Sequence, residues 1–174
     1  MSSLKKNNFN LQTSRLSIRE ISNQDLENLT CILADPRVMQ YSTVGVHDRE
    51  QIQAYINNCR QHYQVAGYGT RAIFHTLTND FIGVCGLHKQ SLDGRELTHL
   101  NYRLAVKHQG KGYATEAVEG LLAMAKNTLR LNCISALIEP ENIASVNLAR
   151  RLGFGHSYST RFRGFAVDVY QLEI

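Results

Sequence analysis

The chain has 174 residues, of which 43% are hydrophobic and 20% are charged, and 19 basic against 15 acidic residues give a net charge of +4. We expect a single globular domain over residues 1–174, with residues 1–9 as a loose N-terminal arm. Neither a membrane-length apolar run nor the apolar block of a signal peptide is present, so we expect a cytoplasmic protein without a membrane partner. The charge is too small to indicate a nucleic-acid partner.

The four cysteines, Cys31, Cys59, Cys85 and Cys133, are scattered and include no CxxC pair. Cys59 falls on the apolar stripe of a predicted helix, and Cys133 lies in a strand-like run. This pattern favours buried, reduced thiols over disulfides or a metal site. We therefore expect no bound metal.

The first half of the chain predicts one strand and two helices. These elements are a strand over 10–21, a helix over 22–34 and a second helix over 48–66. Ser22 and Asp48 have the character of N-caps, since each precedes an apolar-periodic run. Pro36 and Gly67 mark where the two helices end.

The second half alternates strands with helices. The elements are strands over 70–78, 81–89 and 97–106, a helix over 114–129, a strand over 131–138, a short helix capped by Asn142, and a hairpin of 154–162 with 165–172. Strand–helix–strand crossovers imply one parallel pair in a mainly antiparallel sheet. The predicted fold class is therefore α/β (α+β), with a mixed sheet of about seven strands flanked by about four helices.

A glycine-rich stretch, Gln109-Gly110-Lys111-Gly112-Tyr113-Ala114, lies where the third strand of this half becomes a helix. The first N–H groups of a helix have no internal acceptor, and the helix dipole adds partial positive charge there. Glycine allows a bulky anion to approach the backbone closely. The stretch therefore predicts a phosphate-binding loop.

Two common phosphate loops do not fit this stretch. A P-loop needs Ser or Thr after Gly-Lys, where this chain has Gly112. A dinucleotide fingerprint needs a third Gly or Ala where this chain has Thr115. A third pattern, Gln/Arg-x-x-Gly-x-Gly/Ala, is matched by Gln109, Gly112 and Ala114.

This third pattern resembles the pyrophosphate loop of the GNAT acyltransferases, which bind acetyl-CoA. Further segments resemble the RimJ/RimL-type branch of that family, the N-terminal acetyltransferases of ribosomal proteins. They are Thr13–Arg19 (T-x-R-L-x-L-R), Leu100–Leu104 (I-G-Y-W-L), Gly112–Ala117 (G-Y-A-T-E-A), and Asn142-x-x-Ser145 with Arg150–Phe154 (N-x-x-S … K-x-G-F). Because they follow the family order over nearly the whole chain, the chain is identified as a GNAT member.

The resemblance implies the GNAT acyl-CoA N-acyltransferase fold, with acetyl-CoA as co-substrate. The loop N–H groups should cradle the pyrophosphate, while the strand end and Asn142 contact the pantetheine arm. The residues expected to bind acetyl-CoA are Leu104, Ala105, Val106, Gln109, Gly110, Lys111, Gly112, Tyr113, Ala114, Thr115 and Asn142. Asn142 also has the simpler reading of a helix cap.

The acceptor implied by the resemblance is a primary amine that attacks the thioester directly in a ternary complex. The branch favours a protein N-terminal α-amine. A small amine such as an amino acid, a polyamine or an antibiotic is the alternative, as is a non-catalytic CoA-binding or sensing module. The oligomeric state is expected to be a monomer or a homodimer.

His99 is the candidate general base, because it stands where the family often has Glu. On a strand it shares a face with Asn101 and Arg103, and imidazole ordinarily has a suitable pKa. A strand histidine without a catalytic role is an equally good reading. Glu96 is an alternative carboxylate, and His88 is a weaker candidate expected at the surface.

Ser145 is the candidate general acid that protonates the leaving thiolate. Many GNAT enzymes use a tyrosine seven residues after the Asn, but this chain has Ala149 there. In the RimJ/RimL-type branch the serine of N-x-x-S is the implied donor, which corresponds to Ser145. Its alternative reading is an N3 helix residue that satisfies a backbone group.

Overall fold

The computed structural model describes residues 10–174, so the arm predicted for residues 1–9 lies outside it. The strands are β1 (Leu11–Gln12), β2 (Leu16–Glu20), β3 (Thr70–His75), β4 (Phe81–Leu92), β5 (Arg95–Leu104), β6 (Cys133–Ile138), β7 (Gly155–Phe162) and β8 (Phe165–Glu173). The helices are α1 (Leu26–Leu33), α2 (Arg49–Ala66), α3 (Tyr113–Asn127) and α4 (Ile143–Arg151). In the described part of the chain, no helix combines the length and the hydropathy needed to cross a membrane.

All of these strands form one sheet in the order β1-β2-β3-β4-β5-β6-β8-β7. Neighbouring strands are antiparallel except β5 and β6, which are parallel because α3 crosses between them. The mixed, mainly antiparallel sheet with four helices is thus confirmed. It has eight strands rather than seven, because the predicted first strand is broken. The Thr13 N–H donates to Leu16 O at 2.9 Å and turns the chain, so that β1 folds back on β2.

The predicted helix ends are confirmed by their local chemistry. Asp48 accepts a hydrogen bond from the Gln51 N–H at 2.8 Å and starts α2. Gly67 ends α2 with a φ of 75°, in the left-handed region that favours glycine. Ser22 caps a short 3-10 turn over 23–25, and α1 begins only at Leu26.

The sheet separates two apolar cores. Leu121 of α3 and Val146 of α4 pack on one face, whereas Ile32 of α1 and Ile56 of α2 pack on the other. In β5, Leu100 and Leu104 belong to the core under α3 and α4, and Ala105, just after the strand, belongs to the opposite core. Strand alternation therefore turns His99, Asn101 and Arg103 toward the α1–α2 side, and the three residues share one face of the strand as predicted.

The prediction of four buried thiols is wrong for two of them. Cys59 and Cys85 are buried, but Cys31 and Cys133 are exposed. Cys31 lies in α1 between residues that face the core, and Cys133 is the first residue of β6, where the strand leaves the surface. Apolar periodicity predicts which helix or strand a residue belongs to. It does not predict which end or side of that helix or strand other parts of the protein bury.

Candidate active site

The cleft opens between the two parallel strands. β5 and β6 pair only at His99 and Ser135, and beyond that point a cavity of about 150 Å³ lies between their carboxyl-terminal halves. A second cavity, of about 640 Å³, extends from it to the start of α3. We call them the inner and the outer cavity. Tyr102, Arg103, Asn142 and Ser145 line both, so the two cavities form one continuous cleft. Ligands of open sheets bind at such crevices beyond the carboxyl ends of strands.

The outer cavity ends at the glycine-rich loop. Gly110 and Gly112 have φ values of 72° and 77°, and Gly112 is the N-cap of α3. The first N–H donated within α3 is that of Glu116, to Gly112 O at 3.1 Å. The N–H groups of Tyr113, Ala114 and Thr115 therefore have no intrahelical acceptor beside the cavity. Such a helix start is suited to an anion, and the residues present fit a pyrophosphate.

The residues predicted to bind acetyl-CoA are placed in two groups. Those that line the outer cavity are Leu104, Gln109, Gly110, Gly112, Tyr113, Ala114, Thr115 and Asn142. Ala105, Val106 and Lys111 do not line it. Ala105 donates its N–H to Ile82 O and accepts from the His108 N–H, so its backbone groups are already used. The Gln109 side chain donates to Leu104 O at 3.1 Å and ties the loop to β5.

An N-terminal anchor holds the loop in place. Glu116 accepts hydrogen bonds from Thr13 Oγ1 at 2.6 Å, from the Arg15 N–H at 2.7 Å and from Arg15 Nε at 2.6 Å. Arg15 also donates to Lys111 O at 3.1 Å and stacks on the Tyr113 ring. The Thr13–Arg19 motif and the G-Y-A-T-E-A motif are therefore two halves of one contact.

Replacing Glu116 tests this anchor. In Glu116→Gln the hydrogen bonds to a charged acceptor are weakened, and we expect the free energy of unfolding to fall by about 1–3 kcal/mol in urea melts. These hydrogen bonds hold the pKa of Glu116 below its ordinary value, against the opposing effect of burial. The stabilisation is therefore complete above about pH 4.5 and is lost as the pH falls below it.

The matched control for this test is Glu119→Gln, an exposed glutamate on the same helix. We expect this control to unfold like the wild type. Equal stability of the Glu116→Gln variant and the wild type at pH 7 would contradict the anchor.

Ser145 lies at the start of α4, on the wall that faces β5. Asn142 caps this helix by accepting a hydrogen bond from the Ser145 N–H at 3.2 Å, which confirms the cap reading. Tyr102 Oη donates to Ser145 Oγ at 2.9 Å. Burial raises the pKa of Tyr102, so its hydroxyl keeps its proton at neutral pH. Because Ser145 Oγ accepts from Tyr102, its own proton is available for donation into the cleft.

His99 lines the inner cavity as expected, but its acid–base character differs from expectation. Burial, with the neighbouring His88 and Arg103, lowers the pKa of His99 to about 3. Its Nδ1 is buried and has no hydrogen-bond partner among the described residues. The imidazole is therefore neutral at all ordinary pH values and is a much weaker proton acceptor than a solvated histidine.

The two reserve candidates for the base lie elsewhere. Glu96 pairs with Lys89 at 2.7 Å on the surface and lines neither cavity. His88 was expected at the surface, but it packs against His99 with ring centroids 4.9 Å apart and contacts Asn101 Nδ2 at 2.9 Å. It is covered because β4 and β5 pair His88 directly with His99 beneath α2. Burial lowers the pKa of His88 to about 4, with a contribution from His62.

Three cleft residues were missed by the sequence reasoning. They are Tyr102, the partner of Ser145; Arg103, which lines both cavities; and Glu139, the half-buried last residue before the β6–α4 turn. Tyr102 was recognisable only as an apolar-face strand residue. Glu139 and Arg103 can be recognised as cleft residues only when β5 and β6 are known to be neighbours.

The model of the acetyltransferase (GNAT) domain family matches residues 15–155. The chain belongs to the GNAT acetyltransferases. The match begins at the Arg15 anchor and ends just after α4, so it includes the whole cleft. The GNAT fold and acetyl-CoA-dependent N-acetyl transfer follow from this membership.

Relatives and solved structures agree with the GNAT assignment. The chain is 30% identical over 173 residues to the uncharacterized N-acetyltransferase p20 of Bacillus licheniformis, covering 94% of each protein. Its fold matches an acetyltransferase from Agrobacterium tumefaciens at a TM-score of 0.81, with 25% identity and 94% coverage of both chains. It also matches a Vibrio cholerae spermidine N-acetyltransferase in complex with CoA and spermine, at a TM-score of 0.76 and 19% identity over 92% and 96% of the two chains.

Proposed function

We propose that the chain transfers the acetyl group of acetyl-CoA to a small primary amine by direct attack in a ternary complex. The observation that supports it is the continuous cleft, which has a helix start suited to pyrophosphate at one end and Ser145, Tyr102 and Glu139 at the other. Among the residues that line the described cleft there is no cysteine. An acyl-enzyme route through a thiol therefore has no nucleophile in place.

Acetyl-CoA fits the cleft with its pyrophosphate against the N–H groups of Tyr113, Ala114 and Thr115. The pantetheine arm then runs along Leu104 toward the inner cavity. Ala105 is removed from the binding set, since its backbone groups are satisfied within the protein. Gln109 acts indirectly by fixing the loop to β5.

Ser145 is proposed to donate its proton to the departing CoA sulfur. Tyr102 supports this role because its hydroxyl donates to Ser145 Oγ and leaves the serine proton free. Asn142 sets the position of Ser145 through the helix cap. The serine then takes a proton from the tyrosine, and the tyrosine is reprotonated from solvent in the open cleft, so the pair works as a short relay.

Glu139, rather than His99, is proposed to take the proton of the attacking amine. Burial lowers the pKa of His99 to about 3, so its imidazole is a poor acceptor for the proton of an α-ammonium group. Glu139 lines the same cavity from the residue that follows β6, and its carboxylate has no hydrogen bond or ion pair among residues 10–174. A carboxylate also attracts the ammonium form into the cavity.

The proposed base is tested by a variant and a pH profile together. Glu139→Gln is expected to lower kcat about 100-fold in a thiol-release assay. The matched control is Glu141→Gln, an exposed neighbour of which Tyr41 uses only the backbone carbonyl. Because the His99 imidazole is neutral above about pH 3, wild type and His99→Ala should give kcat/KM–pH profiles of the same shape. An inflection near pH 6.5 that disappears in His99→Ala would restore His99 as the base.

The acceptor is proposed to be small because the inner cavity has a volume of only about 150 Å³. Tyr41, from the loop between α1 and α2, donates to Glu141 O at 3.1 Å and so bridges the mouth of the cleft. A protein N-terminal α-amine, which the RimJ/RimL-type motifs favour, is the second candidate. It requires this bridge to open.

A thiol-release assay over single amines, polyamines and N-terminal peptides tests the proposed function. Turnover of small amines above the buffer rate is the expected result. Turnover of peptides alone would assign the N-terminal role. Tight acetyl-CoA binding without turnover of any amine would identify a CoA-binding module.

A further inference from the structure

Arg103 is a basic side chain at the junction of the two cavities. It lies on β5 and lines both the inner and the outer cavity. Strand alternation directs it to the α1–α2 side, on the same face as His99 and Asn101. Acetyl-CoA approaches from the α3 side, so Arg103 is positioned toward the second substrate.

The Arg103 side chain is half-buried, and among residues 10–174 its guanidinium has no hydrogen-bond or ion-pair partner. Half-buried arginines ordinarily satisfy their planar donors with carboxylates or carbonyls. Two other arginines line the outer cavity: Arg37 pairs with Asp35, and Arg151 donates to Thr115 Oγ1 at 3.4 Å.

The surroundings of Arg103 on the acceptor side are basic or neutral. Arg103 and Arg163, the latter at the β7–β8 turn, both act electrostatically on His88. Arg103 also acts on His99 and on Tyr55 of α2. None of the interactions that shift the pKa of these groups comes from a carboxylate. Glu139 is the acidic residue that lines the inner cavity, and it lies on the opposite wall, directly after β6.

We propose that the acceptor is an amine that also carries a carboxylate, of the amino-acid type, and that Arg103 binds this carboxylate. The inference rests on the proposed transfer function and specifies its substrate class. A guanidinium binds a carboxylate through two parallel N–H···O hydrogen bonds, which fixes orientation as well as position. With the carboxylate on Arg103 and the amine near Glu139 on the facing wall, the nitrogen is presented to the cleft beside Ser145.

A polyamine is disfavoured by the same arrangement. Its additional ammonium groups would meet Arg103 without a compensating carboxylate on that wall. The Vibrio cholerae spermidine enzyme has the same fold, but at 19% identity this likeness concerns the fold alone.

Matched acceptors test the proposal on the intact protein. Thiol release is measured for a panel of amino acids, for the corresponding amino-acid amides and for the amines that lack the carboxylate, such as leucine, leucinamide and isoamylamine. The expected kcat/KM ratio of best acid to its amide is about 100 or more. In Arg103→Gln this ratio is expected to fall to about 5 or less. Arg103→Lys should keep part of it, because the charge remains but the two-pronged geometry is lost.

The matched control is Arg95→Gln, an exposed arginine at the other end of β5, which should keep the wild-type ratio. O-phosphoethanolamine and spermidine complete the panel. A higher kcat/KM for O-phosphoethanolamine than for any amino acid would show that Arg103 binds a phosphorylated amine, and it would overturn the proposal of a carboxylate-bearing acceptor. Equal rates with acids and amides, or a preference for spermidine, would overturn the proposal outright.

If none of the acceptors is acetylated, the proposed transfer function is wrong. The role of Arg103 is then tested by measuring amino-acid binding. Calorimetric titration of the CoA complex with the same amino acids should show binding that Arg103→Gln weakens at least 10-fold. Undiminished binding by the variant would overturn the proposal independently of catalysis.

Discussion

A Gly112→Glu variant is expected to bind acetyl-CoA at least 100-fold more weakly than the wild type in calorimetric titration. The new carboxylate would lie at the N-cap of α3, beside the N–H groups that are proposed to bind the pyrophosphate. The negative charges of the carboxylate and the pyrophosphate would then repel each other. The φ of 77° also strains any residue other than glycine. The loss of binding therefore combines repulsion with a displaced loop.

Gly94→Glu separates these two effects. Gly94 has a φ of 74°, and a side chain there meets nothing within 4 Å. This control carries the same backbone strain in a remote turn, so it should lose stability similarly, by about 1 kcal/mol, and should bind acetyl-CoA like the wild type. Normal acetyl-CoA affinity in Gly112→Glu would show that the glycine-rich loop does not hold the pyrophosphate.

Ser145→Ala is expected to lower kcat about 100-fold while the Kd of acetyl-CoA stays within about 2-fold of the wild type. The hydroxyl is needed only when the thiolate leaves, so its removal affects the reaction step and spares ground-state binding. Tyr102→Phe should lower kcat about 10-fold, since Ser145 keeps its proton but loses its hydrogen-bond donor. Stopped-flow detection of free thiol measures both rates.

The control for the serine is Ser91→Ala, an exposed serine on β4. A normal kcat in Ser145→Ala would mean that the CoA thiolate departs without a protein acid. A larger loss in Tyr102→Phe than in Ser145→Ala would reverse the order of the proposed relay.

The parts of the account that were predictable from sequence depend on local chemistry. The caps at Asp48 and Asn142 and the left-handed glycine at 67 are set by neighbours within a few residues, and the structure has them as expected. The glycine-rich loop was recognisable for the same reason. Its two positive-φ glycines and the unpaired N–H groups of α3 follow from the order of residues along one turn.

The remaining parts depend on residues that are far apart in the chain. Tyr102 and Ser145 are 43 residues apart, and no spacing rule connects them. The pKa of His99 is lowered chiefly by burial and secondly by His88, which β4 places beside it, and neither effect can be read from the sequence of β5 alone. Arg103 and Glu139 become one site only after β5 and β6 have been placed side by side.

Initial rates measured while acetyl-CoA and an accepted amine are both varied distinguish direct transfer from an acyl-enzyme route. We expect double-reciprocal lines that intersect, with the acetylated amine as product, because both substrates occupy the cleft between β5 and β6 when the acetyl group moves. Parallel lines, or release of acetate without an acetylated amine, would contradict direct transfer in a ternary complex.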